Sequence, residues 1–292
     1  MRTQQSVEPK SLIPVGEARV AYHDRGAGEP LLLIHGCPFS SYVWRKVIPG
    51  LSDRFRCLAP DLLGLGDTET PSDADWSLRA QSGMIIGFLD ALGVERAHVV
   101  GHDHGGAVAQ LLAAEHPDRI DRMVLSNAEA YDNWPSADER PFVRATQIPL
   151  LGGALLWLWS RRSLFRLTLT RARAVHDPQV LTDELLDGYI AANMADRRRR
   201  ARTKRFLADQ LDPKHNATTT ELLDGLRRFD HPTLLIWASD DPHFGPEWGQ
   251  RLRGDIPGAE RLELLPDTGH LLMEEQPERF AALVRSFLLA GD

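Results

Sequence analysis

Short apolar runs alternate along the chain with segments whose apolar residues recur every three to four positions. That alternation predicts a largely parallel β-sheet covered by helices. Residues 16–23 read as an early strand that ends in the turn Arg25-Gly26-Ala27-Gly28. PLLLI, residues 30–34, is apolar throughout, as a strand covered on both faces must be. Further strands are predicted over residues 55–59, 97–100, 122–126, 233–237 and 260–265. Helical spacing is found over residues 77–92, stopping at Gly93, over 105–115, before Pro117, and over 277–289.

Between residues 131 and 215 the strand signal vanishes. This stretch is rich in Leu, holds Trp134, Trp157 and Trp159, and carries the basic run Arg197-Arg198-Arg199-Arg200-Ala201-Arg202. It reads as a helical cap inserted into an α/β core. The expected division is core 1–129, cap 130–215 and core 216–292. The basic run is expected to be the solvated face of a cap helix, with Ala201 and Phe206 turned inward.

Composition narrows the class. The chain has 292 residues, 42% hydrophobic and 26% charged, which is ordinary for a globular protein. A net charge of -7 gives no reason to expect nucleic acid as a partner. Two cysteines, Cys37 and Cys57, are too few for a disulfide scaffold and lack zinc-ligand spacing. Residues 1–10 are polar, without the apolar core of a signal peptide. The apolar stretch 148–159 is too short to span a bilayer. A cytoplasmic protein without membrane contact is expected.

Candidate chemistry sits at predicted strand ends. VVGHDHGG, residues 99–106, follows a strand and opens a helix. It has the form of a nucleophile elbow, Gly-x-nucleophile-x-Gly, with Asp103 at its centre. The glycines permit a sharp turn. The helix N-terminus beyond it favours an anion. Asp103 alone could be no more than a helix cap; three further motifs argue otherwise. His35-Gly36-Cys37-Pro38 follows the PLLLI strand, where this architecture draws one oxyanion-hole amide, the other coming from the residue after the nucleophile. Those donors would be the amides of Cys37 and His104. Ala238-Ser239-Asp240-Asp241 follows a strand, where an orienting acid is expected. Gly269-His270 follows the last strand. The order nucleophile, acid, histidine is the one this architecture uses.

With these motifs the chain resembles the α/β-hydrolase superfamily, in particular the branch of epoxide hydrolases, haloalkane dehalogenases and fluoroacetate dehalogenases. The resemblance covers about residues 18–127 and 231–289. It implies an α/β-hydrolase fold with an inserted helical cap. In the family pattern G-x-x-D, Ala238 occupies the glycine position, which selects Asp241 over Asp240. Glu129, with Asn127 after the sixth strand, is kept as a second candidate acid, because some dehalogenases place it there. A metal held by His102, Asp103 and His104 is not expected, because consecutive residues at a sharp turn point apart. His102 is expected to pack under the elbow, His35 to be a structural hydrogen-bonding residue, Trp44 to be core, and His243 to lie at the surface, with a place lining the cleft as the alternative.

A carboxylate attacking a carbonyl would form an anhydride. At a saturated carbon bearing a leaving group it forms a plain alkyl ester, so Asp103 points to displacement of an epoxide oxygen or a halide. His270, oriented by Asp241, would then activate water against the ester. No cofactor or metal is needed; the partners are a small apolar substrate and water. Haloalkane dehalogenases usually present an Asn and a Trp as halide donors where this chain has Cys37 and His104. A cap tryptophan, Trp134, Trp157 or Trp159, would have to replace them. Epoxide hydrolases use cap tyrosines, for which Tyr189 and Tyr131 are the candidates. Epoxide hydrolysis is the first expectation, dehalogenation by the same route the second, and a catalytically silent binding protein of this fold the third.

Overall fold

The computed structural model describes residues 9–137 and 139–290. The polar opening read as lacking a signal peptide lies mostly outside the described residues. The core strands are β1 (Ser11–Val15), β2 (Ala18–Arg25), β3 (Glu29–Ile34), β4 (Phe55–Pro60), β5 (Ala97–Asp103), β6 (Ile120–Ala128), β7 (Thr233–Ala238) and β8 (Ala259–Leu265). They form one sheet in the order β1-β2-β4-β3-β5-β6-β7-β8. The pairs β1/β2 and β2/β4 are antiparallel and the rest parallel. This is the α/β-hydrolase fold.

Burial follows the sequence pattern. Every residue of β5 and β7 is buried, and Leu31 to Ile34 of β3 have no exposed surface. Strand β1 escaped the sequence reading because SLIPV is an exposed edge strand with Pro14 inside it, and neither an apolar run nor strict alternation marks it.

Helices α1 (Leu78–Ala91) and α2 (His104–Glu115) pack on the sheet. Ser77 caps α1 by accepting from the Ala80 amide. After β6 come the cap helices α3 (Arg140–Gln147), α4 (Leu151–Trp159), α5 (Arg162–Arg171), α6 (Asp183–Asn193) and α7 (Arg197–Asp209). Helices α8 (Pro213–Glu221) and α9 (Leu223–Leu226) pack against α1 and α2, so the return to the core begins a few residues before position 215. The chain ends with α10 (Pro246–Asp255), α11 (Leu272–Glu275) and α12 (Pro277–Leu289) around β7 and β8. Among the described residues no helix is long and apolar enough to cross a membrane.

The basic run departs from its expected role. Arg199 and Arg202 of α7 donate to the carbonyls of Gly66 and Ala192, and Arg205 donates to those of Ser72 and Ala74 while lying over the Trp76 ring. These arginines fasten the cap to the loop after β4. Phe206 is buried as expected, but Ala201 is exposed.

Candidate active site

The loops at the carboxyl ends of β3, β5, β7 and β8 converge, as in other open parallel sheets. The turn from β5 into α2 holds Asp103 at φ 56°, a left-handed conformation that non-glycine residues rarely adopt. Small neighbours make room for it. A Cβ on Gly36 would lie 2.3 Å from Asp103 Oδ1, and one on Gly105 would lie 2.3 Å from the Ile34 carbonyl oxygen.

Asp103 Oδ1 accepts from the amides of Cys37 at 2.7 Å and His104 at 2.5 Å. Its other oxygen lies 3.2 Å from His270 Nε2. His270 Nδ1 donates to Asp241 Oδ2 at 2.7 Å. Asp241 is fixed in turn: Asn127 Nδ2 donates to Oδ2 at 2.6 Å, and the amides of His243 and Phe244 donate to Oδ1. Asp240 turns outward to an exposed contact with His176. The structure thus brings together Cys37, Asp103, His104, Asp241 and His270.

Burial alone would raise the Asp103 carboxyl, yet His270 and the His104 amide hold it below the ordinary carboxylate value. Asp241 is likewise lowered: burial opposes ionisation, and His270 and the two amides outweigh it. Burial works against a charge on His270, but Asp241 and Asp103 on either side carry it well above the usual imidazole value. His102 lies under the elbow, its ring centroid 4.6 Å from that of His270, its Nδ1 beside the Ser126 carbonyl, and burial keeps it neutral.

Glu129 is not placed to serve as the acid. It lies behind the elbow, 3.0 Å from His104 Nδ1 and also bonded to His215 Nε2. These three residues bring their donor atoms within 4.8 Å of one another, a spacing a metal ion could use. The carboxylate already pairs with both imidazoles. His35 holds the loop after β4, where its Nε2 accepts from the Leu62 amide, and Trp44 has no exposed surface.

Beneath the cap lies a cavity of about 580 Å³ that includes Asp103 and His270 in its wall. Phe142, Trp159, Phe165, Leu169, Leu207 and Phe244 make most of its surface apolar. Trp134 also lines it, but its indole N–H donates to Gln210 Oε1 at 2.8 Å. The Trp159 indole N–H is sealed against protein, edge-on to Phe142 and Phe165.

The remaining cap candidates are elsewhere. Trp157 is 45% exposed beneath Arg161, outside the cavity wall. The Tyr189 hydroxyl donates to Glu274 Oε1 at 2.6 Å, in a buried cluster with Phe39, Tyr42 and Arg45. The Tyr131 hydroxyl donates to Asp255 Oδ2 at 2.8 Å, and its ring is covered by Arg251. Neither phenol faces the cavity. Of two further residues that do face it, the sequence reading assigns one a cleft position only as the lesser alternative and misses the other. His243, expected at the surface, is buried beside Asp241 with its ring nitrogens at Ser136 Oγ and the Ala172 carbonyl. Its position two residues after the acid was an available signal. Glu139, at the start of α3, had none.

Comparison with known proteins agrees with this fold. The family described as alpha/beta hydrolase fold matches residues 29–277. A haloalkane dehalogenase 2 of Mycobacterium tuberculosis is 34% identical over 276 residues, 91% of this chain and 90% of that protein. A 2-hydroxymuconate semialdehyde hydrolase of Pseudomonas sp. is 30% identical over 99% of this chain and 97% of its own. Among solved structures, the epoxide hydrolase CorEH superposes with a TM-score of 0.78 at 25% identity, covering 97% of this chain and 99% of the other.

Proposed function

The chain belongs to the α/β-hydrolase family and is a hydrolase of small molecules; from that premise we propose that it opens epoxides to diols through a covalent ester on Asp103. The observation that carries this reading is a carboxylate at the elbow whose one oxygen is held by two amides and whose other oxygen lies beside His270. Oδ2 is the attacking atom, since Oδ1 is committed to the amides.

Attack of Oδ2 on a ring carbon forms a hydroxyalkyl ester. That step also cancels the charge of Asp103. His270 then keeps one carboxylate neighbour instead of two and its affinity for a proton falls; it gives any proton it held to solvent, regaining it when Asp103 is charged again, and so becomes a base at the stage where one is needed. It takes a proton from water, and the hydroxide adds to the ester carbonyl. The oxyanion forms against the amides of Cys37 and His104, each such donor being worth about 3 kcal/mol of barrier. Collapse releases the diol, which takes back the proton from His270.

The leaving group is inferred from the donors facing the cavity. A halide departs without a proton but needs N–H groups around it. The indole N–H of Trp134 is already used and that of Trp159 is closed off, which leaves only the guanidinium groups of Arg171 and Arg173 among the described lining side chains for a halide. An epoxide oxygen needs an acid, and an acidic side chain does line the cavity, Glu139. Dehalogenation by the same two steps is the second reading, favoured by the haloalkane dehalogenase relative at 34% identity. Incubation with styrene oxide and with 1-bromobutane separates the two. Diol from the first, with little bromide from the second, is expected. Bromide release without diol formation would transfer the assignment to dehalogenation.

A further inference from the structure

We propose that Glu139 is the catalytic acid that protonates the epoxide oxygen as Asp103 attacks; this rests on the epoxide reading above.

Ring opening leaves an alkoxide unless a proton arrives, so some group in the cavity must carry one. Among the described residues the phenols are excluded by position. The Tyr189 hydroxyl is bound to Glu274 and the Tyr131 hydroxyl to Asp255. His243 has both ring nitrogens engaged. His270 sits on the nucleophile's side, bracketed by Asp103 and Asp241. Thr168 lines the cavity, but its hydroxyl donates to the Leu164 carbonyl at 2.9 Å. Glu139, at the start of α3, lines the same cavity. Ser136 Oγ donates to its Oε2 at 3.3 Å, which orients the carboxyl. Its other oxygen takes no hydrogen bond from any described residue and is available to substrate.

The surroundings keep this carboxyl protonated. Burial acts first and the charge of Asp103 second, together pushing it up to about 8, with Asp241 adding to the effect and His270 and the Ser136 hydroxyl opposing it. The side chain is partly buried and borders the cavity, where phenyl and indole rings make up much of the wall. The titratable groups around the same space are Cys37 and Asp103 from the loops after β3 and β5, Asp241 and His243 after β7, His270 after β8, and Arg171 and Arg173 at the end of α5. Near pH 7 the acid therefore holds a proton that an ordinary glutamate would have lost.

The proton balance closes. Asp103 Oδ2 forms a bond to the ring carbon, the carbon–oxygen bond breaks, and the released oxygen takes the Glu139 proton, leaving Glu139 as carboxylate. Alkylation has by then neutralised Asp103, so the repulsion that raised Glu139 is gone at the moment its charge appears. Hydrolysis of the ester by one water returns Asp103 as a carboxylic acid. The proton it then sheds restores Glu139, and the net reaction is epoxide plus water giving diol.

The test measures ester formation alone. In a His270→Gln protein the ester with styrene oxide is expected to persist, and single-turnover quenching with mass analysis of the Asp103 peptide reads its rate. Adding Glu139→Gln should slow that rate by about 10²–10⁴-fold, the range for losing a general acid. With Glu139 present the rate should fall on the alkaline side, at a pH above about 8 because the His270 charge that lowers Glu139 is gone in this protein; with Gln it should be low and flat there. Glu139→Asp should restore part of the rate together with a descending limb. Circular dichroism and melting curves establish that each variant is folded. Unchanged alkylation in folded Glu139→Gln protein, or a descending limb that survives the substitution, would overturn the role of Glu139 while leaving the Asp103 ester intact. No ester with any epoxide in the His270→Gln protein would instead remove the epoxide reading, and the acid with it.

Discussion

Replacing Asp103 with alanine should lower turnover of every substrate by on the order of 10⁴-fold or more, the scale on which covalent enzymes lose activity without their nucleophile. No neighbour can substitute. Asp241 is held by Asn127, His270 and two amides, so neither of its oxygens is free to attack. Glu129 is shut behind the elbow by His104 and His215. The fold should survive, because the turn is set by backbone packing around Gly105 and β5 remains buried between its neighbours. His270 loses one of the two carboxylates that raise its proton affinity and should titrate at lower pH in the variant. Product assays with circular dichroism measure both parts. A folded Asp103→Ala protein that still turns over would contradict nucleophilic attack by this residue.

The second large effect is expected at His270. His270→Gln should leave the first step standing and slow the second by about 10³-fold or more, the loss typical of removing a general base that works with a covalent intermediate. Glutamine has no basic nitrogen to take the proton from water. It retains a side-chain amide that can donate to Asp241. The ester should therefore accumulate to about one equivalent, seen as a mass increase equal to the substrate on the peptide that contains Asp103. A single fast turnover followed by arrest is the expected kinetic trace. Steady turnover with no adduct would mean that water is activated elsewhere or that no ester forms.

What could be read from the sequence was what is local. PLLLI and TLLIW announce buried strands because every residue must be apolar on both faces, and β3 and β7 are buried in that way. The elbow, the loop at Cys37, and the aspartate and histidine after β7 and β8 are each defined by a few adjacent residues at a strand end. The choice between neighbouring aspartates came from the resemblance to the family pattern, and the structure turns Asp241 toward His270 and Asp240 toward solvent. The cap obeyed no such rule. A tyrosine on an amphipathic helix is equally consistent with a pocket wall and with a buried hydrogen bond. Tyr189 takes the second course because Glu274, 85 residues away, offers an acceptor that Arg45 and Lys46 neutralise. Tyr131 is drawn to Asp255, 124 residues on. Glu139 lies in a stretch without periodicity, and only the fold of α3 over the sheet carries it to the cavity. The basic run was misjudged for a related reason. The carbonyls that bind Arg199, Arg202 and Arg205 belong mostly to a loop some 130 positions earlier in the chain, and no charge pattern within α7 discloses them.

The most direct test of a covalent carboxylate is oxygen exchange. After one turnover in water enriched in heavy oxygen, the peptide containing Asp103 should gain one labelled oxygen, because solvent attacks the ester carbonyl and its oxygen takes the place of the Oδ2 that leaves with the product. Product formed in that first turnover should remain unlabelled at the oxygen delivered by Asp103. Label in the first-turnover product and none in Asp103 would mean that water attacks the substrate directly.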